Sequence, residues 1–464
     1  MTQQSSSVSE LLSLELATPL AGTVQQPDYM PPVIPDDPSF GAGVQRTMTL
    51  LATSTPTRRN TVRMLFYGQS ASKQTYWRLL QADLRRRFPY ANLIMECRAI
   101  GGFAANLLKR TARQDMYDFY PDLVVFHDYG GEEDLAEIYS TLRKTTTAEM
   151  LLQGNYIAGD GKREEVYFDV ILPKLAQQYA LEFADLREPW WQYLQQQHLA
   201  ATDLLVDGGH TNLRGNLLLA DLLLPHLVYR PELPNDGWKG WMTDYQVGVD
   251  AHWHDGTLTL EFTGNRVDLL AAEHEVNFYP CADVRIDGKQ PSEFPSCYTL
   301  TRANDLPGLV DWPWHSGALI NVAWQTTPLL EDWTITLTRI MDDPQKFEFT
   351  VHGSKTGADG SGNNWTTFVS NSGRVVIEPE DWYLLDANTK DSAWQRNVGA
   401  TMQWSVLPLF QDTYYSPRTD DLTLESAQTI VQGIANSRHT LELTARDGKI
   451  PPLSAIRVYR PPLC

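Results

Sequence analysis

Between about residue 61 and residue 230, short apolar runs alternate with longer stretches whose apolar positions recur at helical spacing. The runs "VRMLFY", "NLIMECR", "DLVVFH", "AEMLLQ" and "ALEFADL" are short enough to be strands, and helices of ten or more residues can be drawn between most of them. Parallel strands need crossover connections, so this alternation predicts an α/β domain: a parallel sheet covered by helices on both faces. After "YRPELPND", Tyr229 to Asp236, the texture changes. "TLTLEFTG", "WTITLTRI", "KFEFTVHG", "RVVIEP" and "HTLELTAR" alternate polar with apolar or β-branched residues, between Gly, Asn, Asp and Pro. That pattern predicts antiparallel strands with one solvated face, packed as a sandwich or jelly roll. Residues 1–60 are rich in Ser, Thr and Pro, and "PPVIPDDPSFGAG" reads as irregular chain lying across a domain. The expected organisation is an arm over 1–60, an α/β domain over 61–231 and an all-β domain over 232–464.

Composition narrows the partners. A chain of 464 residues, 42% of them hydrophobic, has core enough for two or three domains. A formal net charge of -19 leaves no basic stripe to neutralise phosphates, which argues against nucleic acid or an anionic membrane. The densest basic cluster, "LRRRFP" at Leu84 to Pro89, reads as the solvated end of a helix. No run approaches the roughly 20 apolar residues of a membrane span. The first residues carry Glu10 and Glu15 among their leucines and no basic start, a poor signal peptide. The four cysteines, Cys97, Cys281, Cys297 and Cys464, show no paired ligand spacing, so a zinc site is not expected; no metal and no other cofactor is expected. Cys97 reads as a free buried thiol, whereas Cys281 and Cys297 could bridge, as would suit an oxidising compartment.

In an open parallel sheet, ligands bind beyond the carboxyl ends of the strands, so the residues just after each strand are informative. "YGQS" places Ser70 after the first strand. Serine at a strand-to-helix junction is a favoured N-cap, and its hydroxyl is a poor nucleophile until an imidazole takes its proton. Such a base occurs late in the domain, where "LLVDGGHTNLRG" puts Asp207 and His210 on a Gly-rich turn with Thr211 as the expected N-cap of the next helix. Two intervening glycines allow the carboxylate and the imidazole to point toward one site. His198, His226 and His439 have no partner at ligand spacing, and His252 with His254 suits the exposed face of a hairpin better than a metal.

These blocks resemble the SGNH hydrolase superfamily, the GDSL-like esterases: a Gly-x-Ser turn, a glycine after the second strand (Gly102 in "IGGF") and a late Asp-x-x-His, "DGGH". The resemblance implies a flavodoxin-like three-layer fold, with Ser70 as nucleophile, His210 as general base and Asp207 orienting the imidazole. It also implies an oxyanion hole that includes the backbone N–H groups of Ser70 and Gly102. The "GQS" form is similar to the carbohydrate acetylesterase branch. The third block departs from the pattern: in "HDYGGEED" Gly131 stands where the family's oxyanion Asn is expected, leaving Asn106, Asn155 or a loop backbone to supply the bond. His127 and Asp128, at the end of the third strand, are candidates for substrate binding or an alternative acid/base role, against the plainer reading of buried structural groups. Glu132 and Glu133 read as a helix start that compensates the dipole.

The β-rich part, through "LEFTGNRVDLL", "ADVRIDGKQPSEF", "VQGIANSRHTLEL" and "AIRVYRPP", resembles the jelly-roll domain that accompanies some SGNH carbohydrate esterases. "DWPWHSG" offers Trp312 and Trp314 for stacking on sugar, or for the sandwich core, and "GSKTGADGSGNNW" reads as a polar loop. The resemblance thus implies a serine esterase removing small acyl groups from an acylated polysaccharide or oligosaccharide, secreted or periplasmic. Two alternatives stay open at this point: a glycoside hydrolase or lyase using Asp128 and Asp207, and a non-catalytic carbohydrate-binding protein.

Overall fold

The computed structural model describes residues 29–158, 166–233, 240–272, 279–303, 319–343, 345–383, 398–417, 421 and 423–463. Its contacts divide into two compact units. The first holds Met1–Ala105, Pro121–Ser140 and Ala148–Trp238; the second holds Asn106–Tyr120, Thr141–Thr147 and Lys239–Cys464.

In the first unit, β1 (Thr61–Gly68), β2 (Asn92–Cys97), β3 (Leu123–His127), β4 (Glu149–Gln153) and β5 (Glu182–Ala184) form one parallel sheet in the order β2-β1-β3-β4-β5. This is the flavodoxin-like order, whose direction of winding reverses between β1 and β3. Every residue of β3 and β4 is buried, which is why Leu123–Phe126 and Met150–Leu152 run apolar without alternating. Among the described residues the α-helices are α1 (Gln45–Ala52), α2 (Tyr76–Arg87), α3 (Ala105–Tyr117), α4 (Glu132–Thr145), α5 (Leu172–Tyr179), α6 (Arg187–Gln196) and α7 (Leu213–Leu223). Successive strand residues point to opposite faces. Val62, Met64 and Phe66 enter a core with Met48 of α1, Leu80 and Leu84 of α2, Trp190 of α6 and Leu219 of α7. Tyr67 and Phe126 meet on the other face, where Phe126 packs edge-on against Tyr139 of α4.

The segment before β1 is tied to this sheet through buried acids. Glu182 of β5 accepts from the N–H groups of Gly41 and Gly43, and Glu149 of β4 from those of Arg46 and Thr47, at 2.7–2.9 Å. Tyr29 donates its hydroxyl to Asp221 of α7 at 2.6 Å. The arginines of "LRRRFP" are more than a solvated end, since Arg86 and Arg87 both pair with Asp83 and Arg87 also donates to the carbonyl of Leu227. Helix α4 does open on Glu132, Glu133 and Asp134 and closes on Arg143 and Lys144, matching the dipole at both ends.

The second unit is built on antiparallel sheets. One sheet runs Thr413–Tyr415, Cys281–Ile286, Ala427–Ala445, Thr257–Ala271, Leu453–Tyr459 and Met242–Gln246, with Trp253–His254 paired to one side. Another runs Tyr298–Leu300, Thr401–Pro408, Asp332–Ile340, Phe347–Gly353 and Gly357–Asn363. Each contributes to a core of its own, one around Leu258, Val284 and Leu443, the other around Trp333, Phe349 and Trp404. "GSKTGADGSGNNW" is therefore in good part a strand, while "RVVIEP" yields only Val376–Ile377 before Pro379 opens a short turn. The Gly-Asn-Arg segment is structural: the buried Arg266 guanidinium is chelated by Asp268 and packs on the rings of both Tyr120 and Tyr459, which meet each other edge-on. Cys281 and Cys297 form no bridge. Cys297 is packed into the core around Leu258, and both thiols are free. Trp312 and Trp314 lie outside the described residues.

Candidate active site

The end of β1 is fixed against β3 before any functional side chain is placed. Gly68 pairs with His127 and has φ +126°, and a Cβ there would sit 1.8 Å from the His127 carbonyl oxygen, so no other residue fits. Gln69 then donates its N–H to that same carbonyl at 3.1 Å. Ser70 opens a short 3-10 turn, Ser70–Lys73. It does not cap α2, whose N-cap position is Thr75. Its hydroxyl is engaged elsewhere.

Ser70 Oγ lies 2.8 Å from Nε2 of His210, and Nδ1 of His210 lies 2.8 Å from Oδ2 of Asp207. The structure thus brings Ser70, His210 and Asp207 into one hydrogen-bonded row. An ionised carboxylate only accepts, so the ring carries its proton on Nδ1 and turns the Nε2 lone pair toward the Ser70 hydroxyl. Asp207 is kept ionised: the N–H of Gly209 foremost, then the His210 ring and the N–H of His210, hold its carboxyl at about 2. The same two N–H groups, at 2.7 and 2.8 Å from Oδ1, close the turn. Neither Gly208 nor Gly209 is among the residues with positive φ, so the Asp207 side chain, not glycine's conformational freedom, makes this turn.

Three residues that sequence reasoning passed over tie the histidine turn to the serine turn. Gln74 accepts from both the N–H and the hydroxyl of Thr211 and donates to the Tyr156 hydroxyl at 3.1 Å. Tyr156 in turn donates to the Gly209 carbonyl and is stacked on Trp190 with ring centroids 4.9 Å apart. Burial foremost pushes the Tyr156 hydroxyl up to about 12, so it stays a donor. Asn216 of α7 accepts from the N–H of Tyr76 and donates to the carbonyls of Thr211 and Asn212. With Thr211 so used, Asn212 is the N-cap of α7, accepting from Gly215. Tyr156 lies just past β4, where reading the end of the fourth strand as the first three were read would have marked it; nothing in the sequence marks Gln74 or Asn216.

The N–H groups of Ser70 and Gly102 meet no acceptor among the described residues. Gly102 is exposed, with φ +80° and open space where a Cβ would stand. Gly131 is also exposed, and Asn155 is buried just beyond β4. Asn106 is exposed on α3, in the second unit. His127 and Asp128 turn inward. The His127 ring meets the Gln153 carbonyl at 3.2 Å, and burial lowers it to about 4, leaving it neutral. Asp128 accepts from the Gln69 side chain and from the N–H of Tyr129, and burial raises its carboxyl well above the usual range. No group of three or more possible metal ligands occurs among the described residues.

A second Ser-His-Asp grouping, in the second unit, shows what the first one has. His439 meets Asp287 at 2.7 Å and Ser437 at 3.1 Å, but its Nε2 also faces the Ala435 carbonyl at 2.8 Å. A carbonyl there demands an N–H, so this nitrogen has no lone pair for a serine proton. At His210 the outer nitrogen faces the hydroxyl.

The fold and site define a doubly wound α/β domain with a Ser-His-Asp row at the carboxyl end of its sheet, followed by all-β structure. Among solved structures, the chain is similar to a two-domain esterase active on acetylated mannans, at 12% identity over 86% of this chain and 91% of that one, with a TM-score of 0.32. It is also similar to the acetylxylan esterase Axe2 from Geobacillus stearothermophilus, at 18% identity over 38% of this chain and 98% of that one, with a TM-score of 0.32. The acetyl xylan esterase AlAXEase is similar at 21% identity over 36% of this chain and 100% of that one, with a TM-score of 0.31. No family model and no curated protein matches the sequence. At such scores the fold assignment rests on the strand order and on the residues at the strand ends.

Proposed function

We propose that the protein is a serine esterase that removes acetyl or similarly small acyl groups from a polysaccharide or oligosaccharide. The observation that carries this reading is the row Ser70 Oγ, His210 Nε2, His210 Nδ1 and Asp207 Oδ2, with 2.8 Å at each hydrogen bond. His210 takes the Ser70 proton as Oγ attacks the acyl carbonyl, and returns it to the departing sugar hydroxyl as the ester C–O bond breaks. A water then attacks the acyl-serine, gives its proton to His210, and the carboxylate leaves as Ser70 regains its hydrogen. Asp207 stabilises the imidazolium in both half-reactions. The unengaged N–H groups of Ser70 and Gly102 are the donors we assign to the oxyanion, each worth on the order of 3 to 4 kcal/mol in rate.

The carbohydrate part of the reading rests on the "GQS" form of the nucleophile turn and on the attached β structure. An exported location would suit such a substrate; among the described residues no helix is long and apolar enough to cross a membrane. The carboxylate reading has less to stand on, because Asp207 is engaged by His210 and Asp128 is buried against Gln69. Mass spectrometry of products from acetylated mannan and acetylated xylan tests the proposal. Loss of acetyl groups without chain cleavage, abolished in Ser70→Ala, is the expected result. Release of sugar that survives Ser70→Ala would overturn it.

A further inference from the structure

The row that carries the proposed reaction stands beside an acid with no part in it. Asp128 follows β3, is 4% exposed, and spends only one of its oxygens on hydrogen bonds. Oδ1 accepts from Nε2 of Gln69 at 2.8 Å and from the N–H of Tyr129 at 2.7 Å. Oδ2 is buried with no partner among the described residues. A charged oxygen in that position would cost several kcal/mol, having neither a donor nor a cation to offset its lost hydration. A proton on it removes most of that cost.

We propose that Asp128 works as an un-ionised carboxylic acid that holds Gln69, and through Gln69 the turn presenting Ser70; it is a positioning residue of the site. This inference rests on the reading of Ser70 as nucleophile. Gln69 is bound to the end of β3 twice, its N–H to the His127 carbonyl at 3.1 Å and its side chain to Asp128. Ser70 is the next residue, so both bonds act one peptide away from the reacting hydroxyl. The pairing also gives a chemical reason for "GQS": an amide can donate to Asp128 Oδ1, whereas an Asp at position 69 would set a second acid against it.

The groups around Asp128 agree with an uncharged acid. Tyr167 donates its hydroxyl to the backbone carbonyl of Asp128 at 2.9 Å, and Tyr139 of α4 lies close enough to feel the carboxyl. His127, its chain neighbour, is held neutral by burial. None of these supplies positive charge, and burial raises the carboxyl well above its ordinary value.

The test compares Asp128→Asn, which keeps the acceptor and replaces the acid O–H by an N–H, with Asp128→Ala, which keeps neither. The readouts are p-nitrophenyl acetate hydrolysis over pH 5 to 10 and the rate of Ser70 labelling by a fluorophosphonate. A third is the 13C carboxyl signal of Asp-labelled protein, assigned through its loss in Asp128→Asn. Asp128→Asn should keep at least about a third of kcat and of the labelling rate, and its pH profile should lack any step that tracks the Asp128 carboxyl signal in the unmodified protein. Asp128→Ala should lose at least about tenfold in kcat with KM little changed, and the carboxyl of the unmodified protein should titrate well above the usual carboxylate range. An Asn variant as slow as the Ala variant while melting within a few degrees of the parent, or a carboxyl titrating near pH 4, would overturn the proposal. If the parent itself fails to label, the esterase reading falls, and the carbon titration alone then decides the state of Asp128.

Discussion

The Tyr156 hydroxyl donates to the carbonyl of Gly209, the residue between Asp207 and His210 that also gives its N–H to Asp207. A side chain from the end of β4 thus holds the histidine turn from outside while the Asp207 carboxylate holds it from inside. Removing that one hydroxyl in Tyr156→Phe leaves the ring stacked on Trp190. The expected result is a fall of about tenfold in kcat with KM unchanged and a stability loss of about 1 kcal/mol, the usual worth of one hydrogen bond. A drop confined to KM would mean that Tyr156 touches substrate instead.

Replacement within the row should show the dependence of each member on the others. Ser70→Ala and His210→Ala should each lower p-nitrophenyl acetate turnover by at least about 10³-fold, and the double variant should lose little more than either alone. Additive losses would mean that the two residues do not act on the same proton.

The position of the expected oxyanion Asn can be refilled. A Cβ at Gly131 would meet only Asp134 Oδ2, at 3.5 Å, an ordinary contact, and Gly131 is not among the positive-φ glycines. Gly131→Asn should therefore fold with a melting temperature within a few degrees of the parent and raise kcat at least about threefold by adding a donor. An unchanged kcat in a folded variant would show that another group already fills this role.

Asp221 gives the first unit a pH dependence. Burial foremost raises its carboxyl to about 6, the Tyr29 hydroxyl opposes this, and the charge of Asp83 adds to it. In the unfolded chain it titrates near 3.8, so the folded form holds the proton more tightly. The stabilisation is fully present below pH 3.8 and is lost as pH rises through about 6, at most about 3 kcal/mol. Asp221→Asn, which keeps an acceptor for Tyr29, should raise the melting temperature at pH 8 and flatten its dependence between pH 4 and 7. Equal slopes in the two proteins would count against it.

The parallel sheet was legible because its inner strands β3 and β4 are buried at every residue, and because short apolar stretches of this length recur between helical ones. The alternation expected to make "RVVIEP" a strand failed, because Pro379 cut the run to Val376–Ile377. Ser70, Asp207 and His210 could be read together because Ser70 directly follows the first strand and Asp207 and His210 share one Gly-rich turn late in the domain. Gln74 and Asn216 could not, since their task is to join two turns far apart in the chain, and an amide doing so is identical in sequence to one facing water; Tyr156 needed only the end of the fourth strand to be read as the first three were. Thr211 was misread as a cap for a related reason: its hydroxyl had a distant partner in Gln74, and Asn212 took the local one.

The pairing of Glu182 with Gly41 and Gly43, and of Glu149 with Arg46 and Thr47, alters where this domain can be cut. A chain trimmed to start at Thr61 would keep every strand of the sheet and every residue of the Ser-His-Asp row. It would also leave two interior carboxylates stripped of four donors, with the Arg46 guanidinium that meets Asp122 gone as well. The irregular stretch ahead of β1 therefore supplies hydrogen-bond donors that the sheet's interior acids depend on, so a domain boundary drawn at the first strand would cut through the interior of the fold.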